Sequence, residues 1–216
     1  QIRQTVRNTV EGMCSVVAST GKLTWPVDME GGRREVYEID YGPLLSYSPA
    51  AKLTAASKLA DLYRLLRDME TEVKKAGLGG NVEFWAGSDV VAVLLSIVEG
   101  FISTMESKPY RVSLEQARVM VGGYTIHFMD ETYPNPDDET EWLPKLAPKT
   151  LLAVAMNQPG KVWYCAVDSI SANNAATPLH IVPVPRQDDS GIMLIGQAKP
   201  LPARPSRASC KAVVVD

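Results

Sequence analysis

Apolar residues recur at Ile2, Val6, Val10, Met13/Cys14 and Val17, drawing one stripe along a helix. Arg3, Arg7, Asn8, Glu11 and Ser15 fall off that stripe, and Gly21 stands where a left-handed stop is expected. Gly12 lies inside the helix, where glycine costs about 1 kcal/mol relative to alanine. One narrow stripe needs another element to lean on. No Ser, Thr, Asp or Asn precedes Gln1 as a cap, a pattern expected of a helix whose first turn has been cut off in a fragment.

Leu23–Trp25 is predicted to be extended, Gly31-Gly32 to turn, and Glu35–Tyr41 to form a half-buried strand. Ser48-Pro49 then opens the clearest element. Ser48 caps, Pro49 suits the first helical position, and Leu53, Ala56, Leu59, Leu62, Tyr63, Leu66, Met69 and Val73 follow at helical spacing to Gly77. That helix would be about 37 Å long. Asn81–Ala86 predicts a strand. Ser88 predicts the cap of a helix from Asp89 to about Gly100, buried because it is apolar almost all round.

Ser113-Leu114-Glu115-Gln116 matches a capping box and predicts a short helix to Val121, broken by Gly122-Gly123. Tyr124–Met129 predicts a strand, and the acidic, proline-bearing Asp130–Glu141 a projecting loop. Thr150–Met156 and Lys161–Val167 flank Asn157-Gln158-Pro159-Gly160 and predict a hairpin. Residues 178–205 hold six prolines, so the β-like Ile192–Ile195 is expected in an edge strand or extended arm; Val213–Val215 is β-like as well.

Composition narrows the class. The chain has 216 residues, is 45% apolar and 22% charged, and carries a formal charge of −3. Size scaling gives a compact chain of this mass a folded surface of roughly 9,800 Å². A mildly acidic chain is a poor general binder of nucleic acid, which is held by Lys and Arg. The longest mostly apolar run, Val90–Val98, is too short to span a bilayer, and the first residues have no signal-peptide core. Three cysteines, Cys14, Cys165 and Cys210, form no CxxC, and a reducing compartment is the default.

Catalytic signals are weak. Gly77-Leu78-Gly79-Gly80 lies between a helix and a strand, the reverse of a dinucleotide loop, and reads as a C-terminal stop. The carboxylates of 130–141 fit no calcium loop. His127 reads as a hydrogen-bonded strand-face residue, and Cys165 as a packed thiol in an apolar β run. Trp25, Trp85 and Trp163 read as core, whereas Trp142 in the acidic loop reads as a contact anchor. Arg3 and Arg7, with Arg33-Arg34, form either a solvated face or one side of an inter-subunit salt bridge. Several pieces cannot hide their apolar faces within one chain, as expected of an assembly subunit.

Five stretches carry a family resemblance: the helix running into Thr20-Gly21-Lys22-Leu23-Thr24; Ile39-Asp40-Tyr41-Gly42; Tyr133-Pro134 through Trp142-Leu143-Pro144 to Lys149-Thr150-Leu151-Leu152; Val162-Trp163-Tyr164-Cys165-Ala166-Val167-Asp168; and Gln187-Asp188-Asp189-Ser190 with Ile192–Gln197 and Pro200-Leu201-Pro202. In this order they resemble the phage lambda major capsid protein E family.

The resemblance implies an α+β tailed-phage major capsid fold. Residues 2–19 would be its spine helix. Residues 1–48 plus 178–205 would form a β-rich P-domain, and 49–177 plus 206–216 a compact α/β A-domain. The family's N-terminal arm and E-loop, which precede the spine, are expected to be missing from this stretch of sequence. The implied function is structural, not enzymatic: an icosahedral shell that self-assembles through many repeated weak contacts to enclose DNA.

Its partners would be copies of the chain in pentamers and hexamers, a decoration or scaffolding protein, and packaged DNA held non-specifically. No cofactor, metal or membrane is expected. The virion head is the expected location, after assembly in the bacterial host cytoplasm. Candidate subunit contacts are Arg3, Arg7 and Glu11 on the helix and Asp137, Asp138, Glu139 and Trp142 in the loop. The alternatives are another head or head–tail adaptor protein, or a metal-dependent enzyme using loop 130–141.

Overall fold

The computed structural model describes residues 1–28, 34–104, 112–138, 140–167, 169–187 and 190–216. The predicted turn at Gly31-Gly32, together with Arg33, Glu139 and Asp168, lies outside them. The chain opens with α1 (Ile2–Thr20), β1 (Lys22–Asp28), β2 (Arg34–Asp40) and β3 (Leu45–Ser46). It continues with α2 (Leu59–Lys75), β4 (Val82–Ala86), α3 (Ser88–Thr104), β5 (Val112–Glu115), β6 (Arg118–Val121) and β7 (Tyr124–Phe128). After these come β8 (Thr132–Pro134), β9 (Trp142–Pro144), β10 (Thr150–Ala155) and β11 (Lys161–Tyr164). The last strands are β12 (His180–Pro185), β13 (Ile192–Gln197), β14 (Pro200–Ala203) and β15 (Ser209–Val213).

One mixed seven-stranded sheet, in the order β3-β15-β10-β4-β7-β6-β5, organises the main core. The β3/β15 and β4/β7 pairs are parallel and the others antiparallel. Leu62, Leu66, Met69 and Val73 of α2 and Val90, Leu94 and Val98 of α3 meet Phe84, Ile126, Leu151 and Ala153 on one face. The opposite face is covered in part, with Leu152, Val154 and Trp85 packing on Leu146.

A second core is separate. Met13 and Val17 of α1 pack with Leu23, Trp25 and Tyr133, flanked by Ile39, Leu143 and Leu201. Four two-stranded ribbons, β1-β2, β8-β9, β11-β14 and β12-β13, stand outside the sheet.

The spine helix follows its stripe. Gly21 adopts φ 74° and donates its N–H to the Val17 carbonyl at 2.9 Å, as the stop signal requires. Strand β2, strand β4, the start of α3 and strand β7 also stand where the pattern puts them.

Four predictions need correction. The helix expected from Pro49 begins only at Leu59. Leu53 donates its N–H to the Val214 carbonyl at 2.7 Å, which straps the segment to the end of β15. The Asp61 carboxylate then accepts from the Lys58 N–H at 3.1 Å and starts the helix there. The predicted helix 113–121 is instead the hairpin β5-β6, closed by an Arg118–Glu115 ion pair at 2.6 Å. Its alternation places Val119 and Val121 in the core, and tertiary burial outweighs a local capping signal. Gly122 and Gly123, at φ 57° and 97°, then make the tight turn into β7 that only glycine takes readily.

Third, β10 and β11 do not form the expected hairpin. Strand β10 is buried along its whole length between β15 and β4, while β11 pairs with β14. Strand β10 is a continuous apolar run, as a strand buried on both faces must be. Fourth, the acidic loop is not a free projection. Strand β8 pairs with β9, and Tyr133 is buried against the spine.

Three surface expectations also change. Trp163, on the two-stranded ribbon β11-β14, is exposed rather than core, and Cys165, just past the end of β11, is exposed rather than packed. Helix α3 is buried on one side only, with Ile102 exposed on the other.

Gly12 has a specific reason. A Cβ there would stand 2.8 Å from Tyr133 Cδ2 and 3.3 Å from the Trp25 ring. Helix propensity alone would make Gly12→Ala stabilising by about 1 kcal/mol. The crowding predicts the opposite, a loss of about 1–3 kcal/mol in urea unfolding. In a Tyr133→Ala background the same substitution should become neutral or stabilising, which a double-mutant cycle measures directly.

Candidate assembly surfaces

The ribbon β12-β13 is the least covered apolar element. Directly opposed residues share a face, so Ile192, Leu194, Pro183 and Pro185 lie on one side and Met193, Ile195, Val182 and Val184 on the other. Exposures of 68% at Ile192, 46% at Met193, 56% at Leu194 and 38% at Ile195 show both sides open. Only its base is anchored, where Gly196 lies so close over Ile2 that any larger residue would collide. Ribbon β1-β2 repeats the arrangement. Leu23 and Trp25 pack on the spine, while Tyr37, opposite Trp25, and Val27 and Val36 farther out are exposed.

The candidate contact residues fall into two groups. Arg3, Arg7 and Glu11 share one side of α1 and border an open groove of about 780 Å³, whose far wall includes Tyr164, Leu179 and Ile181. Arg7 donates to Glu11 within the helix at 2.9 Å, which relieves the Arg3/Arg7 repulsion. Glu11 also accepts from Lys145 Nζ at 2.9 Å, and Lys145 reaches Glu131 as well. This network ties the acidic loop to the spine. Hydrogen bonds from Lys145 and Arg7 hold the Glu11 carboxyl below the ordinary carboxylate range.

In the second group, Asp137 pairs with Arg34 at 3.5 Å, and Arg34 also donates to the Pro136 carbonyl. Asp138 accepts from the Thr140 N–H and hydroxyl at 3.0 and 2.6 Å, bonds that lower its pKa. Trp142 is 57% exposed at the outer edge of β9. The structure joins Glu11 to the loop through Lys145 and Asp137 to β2 through Arg34. It does not bring Arg3 or Trp142 to either link.

Chemistry is sparse. His127 lies on the strand face as expected, with Nε2 2.7 Å from Glu83 Oε2 and its ring stacked on Trp85. Ser171 Oγ stands 2.9 Å from His180 Nε2 on an exposed turn. Among the described residues, no group of three or more His, Cys, Asp or Glu could hold a metal ion. No described helix is long and apolar enough to cross a membrane.

Sequence reasoning passed over Lys145 and the ribbon as contact elements. The ribbon had a signal. From Leu179 to Pro185 and from Gly191 to Gln197 there is no Asp, Glu, Lys or Arg, although edge strands normally carry charge.

The model of a known family, phage major capsid protein E, matches residues 1–214. The chain belongs to that family. No curated protein matches this capsid-family chain. Among solved structures, a crystal structure described as the capsid protein of a prophage (E. coli CFT073) superposes with TM-score 0.66 at 18% identity. The superposition covers 97% of this chain and 63% of that one, so the chain spans less than two thirds of its length. The mixed α+β architecture is therefore a capsid fold.

The Glu11 pairing has a pH signature. Its carboxyl titrates below the ordinary 4.5 once folded, so unfolding takes up protons in that range and stability rises with pH. The contribution is complete above pH 4.5 and is lost as pH falls through the folded value. Glu11→Gln should therefore lower the melting temperature at pH 7, and the gap to wild type should narrow as pH drops below 4.5. A gap independent of pH would contradict the pairing.

Proposed function

We propose that the chain is a structural subunit of a phage or prophage head and performs no catalysis. Many copies would tile an icosahedral shell as pentamers and hexamers. Residues 1–48 with 178–205 act as the peripheral domain and 49–177 with 206–216 as the axial domain. The separate core under α1 supports a peripheral unit of its own, to which Tyr133 and Leu143 also contribute, while Leu45 joins the sheet core.

One observation carries the reading. The chain exposes 13007 Å². A compact chain of its mass would expose roughly 9,800 Å². The excess is about 3,200 Å², about four times what one partner contributes to a standard protein interface. Much of the uncovered apolar surface lies on two-stranded ribbons outside the seven-stranded sheet. A subunit with several neighbours needs such surface, and a self-contained enzyme does not.

Each contact is modest, and repetition by symmetry makes the whole stable. Packaged DNA would meet the shell non-specifically, which a net charge of −3 favours by avoiding tight phosphate binding. Assembly would proceed in the bacterial host cytoplasm, with a scaffolding or decoration protein as a further partner.

The test is electron microscopy and sedimentation of the full-length protein. Closed shells or curved sheets are expected. Ile192→Lys with Leu194→Lys should abolish them while moving the melting temperature of the free subunit by only a few degrees, because both side chains are exposed. Monodisperse small particles at high concentration, with the same behaviour in the variant, would refute the proposal.

A further inference from the structure

We infer that Arg204 and the cavity beside it form a binding site for a single carboxylate, supplied by a free organic anion or by an acidic residue of a second copy of the chain. Arg204 follows β14, and its aliphatic stem lies against Gly160. A guanidinium offers five N–H donors and keeps its charge at any ordinary pH. Here Nη2 donates to the Ala155 carbonyl at 3.4 Å, a long bond, and Nε is buried with no acceptor. No carboxylate among the described residues pairs with it. Burial lowers its pKa with no neighbouring charge opposing the effect.

The cavity measures about 90 Å³ and is bordered by Ser15 and Ser19 of α1, Trp85 of β4, Val154 of β10, Lys145 and Arg204. That is room for about three waters, or for one carboxylate group. The hydroxyls of Ser15 and Ser19 donate back into α1, to the Glu11 and Ser15 carbonyls at 2.9 and 2.8 Å. Their lone pairs do not neutralise a cation.

Charge balance sets the ligand. Lys145 and Arg7 are matched by Glu11 and Glu131, so the Arg204 charge is left over. One monoanion cancels it. A phosphate dianion would add a second negative charge with no second free cation in the wall. The planar fork of arginine takes a carboxylate through two parallel bonds, here from the Nη groups, since Nε is sealed from solvent and Nη2 holds only its long bond to Ala155.

The experiment compares full-length wild type with Arg204→Met and Arg204→Lys by thermal unfolding in acetate against chloride, at fixed pH and ionic strength. Wild type should gain about 3–6 °C at tenfold the acetate dissociation constant. Arg204→Lys should respond more weakly. Arg204→Met should not respond, and in chloride should melt at or above wild type, because an unpaired buried charge is gone.

Sedimentation at rising concentration identifies the source. If a second copy supplies the carboxylate, Arg204→Met should associate at least tenfold more weakly and acetate should compete in wild type. If a free anion does, association is unchanged and the acetate response stands alone. Only this arm rests on the shell-subunit reading, so its failure leaves the acetate arm to decide. Two results overturn the inference: no acetate gain together with unchanged association, or Arg204→Met melting well below wild type in chloride, which would make Arg204 a tie to Ala155 and nothing more.

Discussion

A two-stranded β-ribbon has two faces and can cover neither by itself, so in water it is marginal unless something lies on it. Among its described residues this chain builds four of them. Three, β1-β2, β8-β9 and β11-β14, lean on the core under the spine helix through Leu23, Trp25, Tyr133 and Leu201. The ribbon β12-β13 is held at its base, by Ile2 against Gly196 and by Ser171 against His180. Apolar residues on the uncovered faces set the demand for neighbours, and the proposed shell would answer it with identical copies.

The division of labour follows. The seven-stranded sheet with α2 and α3 is a conventional core, filled by Phe84, Leu94, Ile126 and Leu151. The spine is different. It is amphipathic, narrow-striped and too thinly covered to be stable by itself. It becomes a strut because Gly12 lets Tyr133 and Trp25 come close, and because Lys145 pins the acidic loop to Glu11. In the proposed shell, the sheet core joined to this strut with its open ribbons would be the repeating part.

Local chemistry made some of this legible. The stripe Ile2–Val17 and Gly21 located the spine, and alternation located β2, β4 and β7. What local chemistry hid was non-local. Nothing near Leu53 announces that Val214 will capture its N–H, so Pro49 looked like the start of α2. Nothing between Thr150 and Val167 says that β15 and β4 compete successfully for β10 against its nearest neighbour in sequence. At 113–121 a real capping pattern lost to the need for Val119 and Val121 in the core. The candidate surface was half visible. Arg7, Glu11 and Asp137 could be named, but their intrachain partners Lys145 and Arg34 could be assigned only from the fold. The run Ile192–Ile195 was visible as β, yet its exposure depends on what does not pack against it.

Amide hydrogen exchange on assembled particles and on subunits dissociated from them tests the central claim most directly. Strands β10 and β4 should be protected in both states, since their burial is internal to the chain. The amides of Ile192–Ile195 should exchange quickly in the free subunit and slow by at least tenfold on assembly. Equal exchange of that ribbon in the two states would mean that neighbours do not cover it, and the account would fail.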